Sequence, residues 1–402
     1  MSRVVITGLG VVSPVGHATN EYWTSLVAGR SGLAQATLGT SAQATGKLVG
    51  EVKNFDPAAH FDQPALLDRV SQFAVVAARE ALAQSGLKLD DELAERTAAI
   101  VGTGSGGFTT IDDSFHRVYA EGAKRVHPLT IPKMMVSAAA SQVSLFLGIK
   151  GPAFAVSSAC ASATHAIGQA FHMVRSGSAT CAFAGGTEAS ITFGTMKGWE
   201  AMRIMSTDTC RPFSRNRNGM IIGEGAAIVV LEAFDHASAR GANILAEVTG
   251  FGMSADARDL TAPDPGGMAR AITAALADAR IAADQVDYVN AHGTGTTLND
   301  AAETAAMHKA FGPHARKLAV SSTKSMVGHA LGAAGALELV AAIMAIREGV
   351  VPPTMNYLEP DPDCDLDYVP NEARRMKVGT ALSNSFAFGG LNAVLAVRQF
   401  TG

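Results

Sequence analysis

Cys160, His292, Lys324 and His329 are the residues of this chain whose types and settings suit catalysis by a thiolate nucleophile. Cys160 lies in SSACASATHAIGQAFHMVRSG, Ser157 to Gly177, behind two serines and ahead of an amphipathic pattern. Apolar residues at Ala163, Ala166, Ile167, Ala170, Phe171 and Val174, with Gly177 as the stop, predict a helix that begins at the cysteine. The first turn of a helix leaves N–H groups unpaired and carries the positive end of the macrodipole. A thiol there is expected to ionise readily and to attack as a thiolate. The competing expectation is a buried cysteine packed as a small hydrophobe, and only its company can decide between them.

That company is two histidine motifs. In VDYVNAHGTGTTLND a β-rich run breaks into glycine and threonine just after His292, which presents the imidazole at a strand end, with Asp300 nearby. LAVSSTKSMVGHALGAAGALELVAAIMAIREG reads as a strand, a polar turn with Lys324, and a long helix that opens close to His329 and ends at Gly349. Gly332, Ala333, Ala334 and Gly335 would let another backbone approach. Either histidine alone suits a structural role, and a lysine before a helix would ordinarily be on the surface. Together with the cysteine they point to a shared site.

With these residues and SNSFAFGGLNAVL near the C-terminus, the sequence resembles the beta-ketoacyl-ACP synthases, the condensing enzymes of fatty acid and polyketide synthesis. The resemblance runs from VVITGLGVVSPVG at Val4 to Phe400. EAMRIMSTDTCRPFS and EGVVPPTMNYLEPDPDCDLD resemble the nodulation protein E subgroup of the elongating type. It implies a thiolase-like α/β fold, a duplicated five-layer αβαβα architecture with halves at 1–243 and 244–402, and a homodimer. The nucleophile would come from the first half and both histidines from the second. Cys160 would take an acyl group from a carrier thioester, and a carbanion made by decarboxylating malonyl-ACP would attack it. The amides of Cys160 and Phe388 would form the oxyanion hole. His292 and His329, both neutral, would donate Nε2–H bonds to the enolate, and Lys324 would order the network around His329 with Glu338 as partner.

The same resemblance places a monovalent cation near Asn290, Glu338, Ser383 and Asn384, and implies no other cofactor, since phosphopantetheine arrives on the acyl carrier protein. Thr294 and Thr296 suit the amides of that arm, or else cap a turn. Ala387, where the family has glycine, is expected to restrict the swing of Phe388. Ser105, where the elongating enzymes often have a bulky aliphatic residue, is expected on the floor of the acyl pocket, leaving room for long or kinked chains. An acidic carrier needs local positive charge on a protein of net charge −4. Candidates are Lys124, Arg125, Lys133 and Arg203; of the basic cluster the family carries near QPALLDR, only Arg69 remains.

The elements that must position these residues come from a chain of 402 residues, 48% hydrophobic and 17% charged, long enough for a large core. VVITGLGVVS and AEVTGFGMSA, at Val4 and Ala246, share a strand and a TG-x-G turn, which suggests duplication. β-rich runs alternate with helical patterns in both halves. The net charge of −4, with no basic run to neutralise phosphates, argues against general nucleic-acid binding. Four cysteines without zinc spacing, no signal peptide and no apolar run long enough to span a bilayer give the expectation of a soluble cytoplasmic protein. Three competitors are set aside. A thiolase needs a second cysteine where SNSFAFGGLN stands, and a non-catalytic chain-length partner would lack Cys160. For a dinucleotide oxidoreductase, neither ITGLG nor VGTGSGG is expected to open a helix with GxGxxG spacing and an acid about 20 positions on, so both are expected to be tight turns.

Overall fold

The β-rich runs form the strands of one main sheet in a computed structural model that describes residues 2–37 and 48–402. The first half supplies β1 (Val4–Val12), β2 (Thr97–Gly102), β3 (Ala153–Val156), β4 (Cys181–Glu188) and β5 (Gly225–Ala233). The second supplies β6 (Ala246–Ala255), β7 (Tyr288–Asn290), β8 (Ala319–Ser321), β9 (Thr380–Ala387) and β10 (Leu391–Arg398). The order β3-β2-β4-β5-β1 in the first half is repeated as β8-β7-β9-β10-β6 in the second. In each half three strands are parallel and the rest antiparallel, at equivalent places. The duplication suggested by the two TG-x-G runs is therefore a repeat of the whole sheet. The halves join where Val4, Val5 and Ile6 pair with Val248, Glu247 and Ala246.

Helices complete the five layers. α1 (Arg69–Ser85) and α2 (Ala138–Leu147) cover the outside of the first half, and α4 (Pro265–Ala279), with α5 (Thr297–Phe311) beside it, that of the second. α3 (Ser162–Ser176) and α6 (Ala334–Glu348) lie between the halves. α6 is buried at every position from Ala334 to Ile346, the signature of a helix with neighbours on all sides. Each of its large aliphatic side chains contributes on the order of 2 kcal/mol by leaving water. The small residues after His329 do let other groups come close: a Cβ built on Gly335 would fall 2.0 Å from Thr164 Oγ1 of α3. Both central helices stop at left-handed glycines, Gly177 (φ 83°) and Gly349 (φ 63°), as the sequence predicts.

Candidate active site

The two connections that enter the central helices carry the chemistry. Residues 157–161 link β3 to α3, and Cys160 sits in this turn, two residues before the first helical residue rather than on it. The turn is closed by the Ala161 N–H donating to Ser158 O at 3.1 Å, and it forces Ala159 to φ 49°. That left-handed backbone is unfavourable for a residue with a Cβ and lifts the cysteine out of the chain path. Residues 322–333 link β8 to α6 and contain Lys324, which opens a short helix (Lys324–Val327), and His329. A 3-10 turn, Leu331–Ala333, stands between His329 and α6.

His292 follows β7 in a loop held by two acids of α5. Glu303 accepts the His292 and Gly293 N–H groups, each at 2.8 Å, and Asp300 accepts the Phe213 N–H at 2.7 Å and the Gly295 N–H at 3.2 Å. Glu303 was not singled out from the sequence. Its only signal is an acid one turn after Asp300 in an alanine-rich helix, and burial raises its pKa to about 7.

Cys160 Sγ and one nitrogen of each histidine lie within 4.8 Å of one another, and the imidazoles meet edge to face with centroids 5.2 Å apart. The Leu331 N–H donates to His329 Nδ1 at 3.3 Å, and the Lys324 ammonium reaches His292 Nδ1 at 3.4 Å. A ring whose Nδ1 accepts carries its proton on Nε2, so both rings present Nε2–H; His329 Nε2 is buried with no hydrogen-bond partner among the described residues. Burial, then the charge of Lys324, holds both imidazoles well below their ordinary pKa, so they are neutral, as expected. These tautomers also suit donation rather than metal ligation, which needs the Nε2 lone pair.

Two expectations change. Lys324 is 1% exposed, and its ammonium bonds to Glu338, to the His292 carbonyl at 2.6 Å and to His292 Nδ1. It orders His292, while His329 feels it only as a nearby charge. The thiol is not a resting thiolate: burial pushes Cys160 up to about 12, Lys324 opposes this, and Glu188 and Glu338 add to it. Desolvation outweighs the field at the helix start. The Phe388 backbone N–H lies close enough to the sulfur to favour its ionised form slightly.

Above the three residues opens a cavity of about 370 Å³. Thr294 and Thr296 line it, their hydroxyls 2.9 Å apart; Thr296 makes no side-chain cap bond to α5, whereas Thr294 Oγ1 accepts the Thr296 N–H at 3.4 Å, so Thr294 also caps the turn. Ala387 and Phe388 line it too, at the turn between β9 and β10, with the Phe388 ring 6.3 Å from Trp199. Ser105 does not: its hydroxyl is bonded to buried Glu188 at 2.8 Å. Arg203 is exposed at the cavity mouth, whereas Arg125 and Lys133 line a separate polar pocket with Arg117 and His127, and Lys124 is exposed beside it. Arg69 lines that same polar pocket, but its guanidinium is paired with buried Glu224 at 2.7 Å. The basic residues thus form two places rather than one patch.

The oxygens Asn290 Oδ1, Glu338 Oε2, Ser383 Oγ and Asn384 Oδ1 are all buried without hydrogen-bond partners among the described residues. Ser383 and Asn290 are register partners on β9 and β7. Oxygen acceptors with no donor, one of them a carboxylate, fit a hard cation.

The turn after β2 departs from expectation. It has glycines at 102, 104 and 107 and leads into a helix at Phe108–Tyr119, a strand–turn–helix frame like that of a nucleotide fingerprint. Its amides, however, are taken: Glu188 accepts from Gly104 N at 2.8 Å and Ser105 N at 3.3 Å. A carboxylate where a pyrophosphate would sit excludes that ligand.

The first 237 residues match the model of the beta-ketoacyl synthase N-terminal domain and residues 245–358 that of the C-terminal domain. The chain is 50% identical to a nodulation protein E of Rhizobium sp. (strain N33), covering 99% of both chains. It is 44% identical to a 3-oxoacyl-[acyl-carrier-protein] synthase 2 of Coxiella burnetii, covering 99% of this chain and 98% of the other. Among solved structures it resembles the ishigamide ketosynthase/chain length factor (TM-score 0.94, 37% identity) and a type II polyketide ketosynthase in complex with its acyl-carrier protein (TM-score 0.91, 33% identity), covering 100% of each chain in both cases. A cysteine and two neutral imidazoles, brought together by the two halves of a duplicated fold whose residues 1–237 and 245–358 match these domain models, place the chain in the beta-ketoacyl synthase family of condensing acyltransferases.

Proposed function

We propose that the protein is a 3-oxoacyl-ACP synthase that joins an acyl group on Cys160 to malonyl-ACP with loss of carbon dioxide. The observation that carries this is the cysteine sulfur within 4.8 Å of two imidazole nitrogens, with both rings donating at Nε2. In the first stage the Cys160 sulfur attacks the thioester carbonyl, the bond from acyl carbon to pantetheine sulfur breaks, and the thiol proton leaves with the departing pantetheine thiol. Backbone N–H groups fixed before charge develops hold the oxyanion. In the second stage the malonyl carboxylate leaves as carbon dioxide, and its bonding pair passes into an enolate whose oxygen accepts from His292 and His329. The α-carbon then attacks the acyl carbonyl, the bond to Cys160 breaks, and the sulfur regains a proton from solvent. Neutral donors serve here because a charged imidazolium would give up its proton and quench the carbanion.

The phosphopantetheine arm would pass Thr294 and Thr296, with Arg203 at the mouth facing the acidic carrier. Asn290, Glu338, Ser383 and Asn384 would hold a monovalent cation, which supplies fixed positive charge behind the site. The open edge of β3, with Phe154 and the nearby Leu145 exposed, suits a second copy of the chain. Identity that is higher to the nodulation protein E than to the synthase 2 favours a specialised acyl chain, as for a nodulation signal. Intact-mass measurement after incubation with a panel of acyl carriers tests the reading. An acyl adduct is expected on the wild-type chain and none on Cys160→Ala, with condensation down at least about a thousandfold. An adduct that survives in the variant defeats the assignment.

A further inference from the structure

Glu188, the last residue of β4, is a fully buried carboxylate with no role in the scheme above. Five neutral donors converge on it. Oε1 accepts from Thr103 Oγ1 at 3.2 Å, Ser105 Oγ at 2.8 Å and Ser105 N at 3.3 Å. Oε2 accepts from Gly104 N at 2.8 Å and Gly332 N at 2.9 Å. Burial raises the pKa of this carboxyl, and the hydrogen bonds from Ser105, Gly104, Gly332 and Thr103 oppose that by favouring the ionised form.

The donors come from both halves of the molecule. Thr103, Gly104 and Ser105 belong to the turn after β2, and Gly332 belongs to the 3-10 turn that follows His329. The two backbones are in contact there: a Cβ built on Gly332 would fall 2.2 Å from Gly104 N and 2.7 Å from Glu188 Oε2. Leu331, next to Gly332, is held at φ 44°, and its N–H is the donor that keeps the His329 proton on Nε2.

We propose that Glu188 is a positioning residue that clamps the Leu331–Ala333 turn to the first half and thereby fixes the orientation and tautomer of His329 toward Cys160. The inference rests on the condensing reading for what His329 does, but the clamp itself is geometric. It has an opposing effect on the nucleophile. The charged groups facing Cys160 are Lys324, Glu188 and Glu338, beside neutral His292 and His329, and the Glu188 charge makes the thiol harder to ionise. Loss of the carboxylate is therefore expected to move two readouts in opposite directions, which general loosening of the fold would not do.

The experiment compares wild type, Glu188→Gln and Ser105→Ala. One readout is the pH profile of Cys160 alkylation by iodoacetamide, the other the rate of malonyl-carrier decarboxylation. In Glu188→Gln the amide brings an NH2 against backbone donors. Its alkylation profile is expected to shift down by about one pH unit. Decarboxylation is expected to fall by at least about tenfold. Ser105→Ala removes one donor of the five and is expected to keep the fold, slowing decarboxylation by about twofold at unchanged KM. Unchanged decarboxylation in both variants overturns the proposal, as does an alkylation profile that moves up in Glu188→Gln. Alkylation needs no carrier, so a downward shift in a protein that condenses no acyl carrier defeats the functional reading and leaves the clamp standing.

Discussion

The connection from β3 to α3 and the connection from β8 to α6 occupy equivalent places in the repeated fold, yet they have been filled differently. Residues 157–161 are short, and the chemistry in them is one thiol. Residues 322–333 are long enough for a short helix, a buried lysine, a histidine and a 3-10 turn. Each contains one non-glycine residue forced to positive φ, Ala159 at 49° and Leu331 at 44°. Duplication supplied two matching crossovers pointed at a common centre, and divergence gave one to the nucleophile and the other to charge and hydrogen bonding. A small strained turn suffices to expose a sulfur, whereas a neutral imidazole beside a buried cation needs a larger scaffold that supplies the cation with hydrogen-bond partners.

The largest break in this comparison comes from the long connection. Lys324→Ala leaves Glu338 buried without its partner, and the expected loss is about 3–5 kcal/mol of stability in denaturant unfolding. Adding Glu338→Leu should recover part of that stability without restoring decarboxylation; no recovery would mean that the pair is not the dominant contact. Next in size is Gly332→Ala, whose new Cβ meets Gly104 N at 2.2 Å. The expected penalty is about 1–3 kcal/mol with slower decarboxylation, while Gly349→Ala at the far end of α6 should lose only about 1 kcal/mol and leave the chemistry intact.

Acid should separate the two connections. Both imidazoles have folded pKa values below the unfolded value near 6.5, so below about pH 6.5 the unfolded chain binds the protons first. Their stabilising contribution is present above that pH and declines as pH falls, by up to about 1.4 kcal/mol per pH unit for each ring. Replacing His292 and His329 by asparagine should flatten this part of the stability curve, and Cys160→Ala should not. The smallest effect is expected from the short connection. Ala159→Gly relieves the positive φ and should stabilise by up to about 1 kcal/mol, while loosening the turn and slowing acylation in stopped-flow. A variant that is destabilised instead would show that Ala159 is not strained.

Much of this was legible in the residues. The apolar spacing after Cys160 and the glycines at 177 and 349 marked both central helices, and the run of small residues after His329 did mark a close approach. The TG-x-G pair marked the duplication. Other readings failed for reasons of distance in the chain. Lys324 is five residues from His329 and 32 from His292 in the chain, but the fold gives its hydrogen bonds to His292. Ser105 was read as a pocket lining because nothing local signals that a glutamate more than eighty residues later will claim its hydroxyl. Lys124 and Arg125 share the sign of Arg203 but not its location.

The sequence by itself determined which stretches are helix or strand, where they stop, and which side chains can do chemistry, because these follow from short-range periodicity, turn geometry and residue type. Only the tertiary structure decided which of those side chains meet, which charges are desolvated and in what state they rest. Burial keeps the Cys160 thiol protonated and both imidazoles neutral, and Glu188 and Glu303 gain their roles from backbone amides contributed by remote segments. Solvation and hydrogen bonding depend on neighbours in space, and no local pattern specifies those.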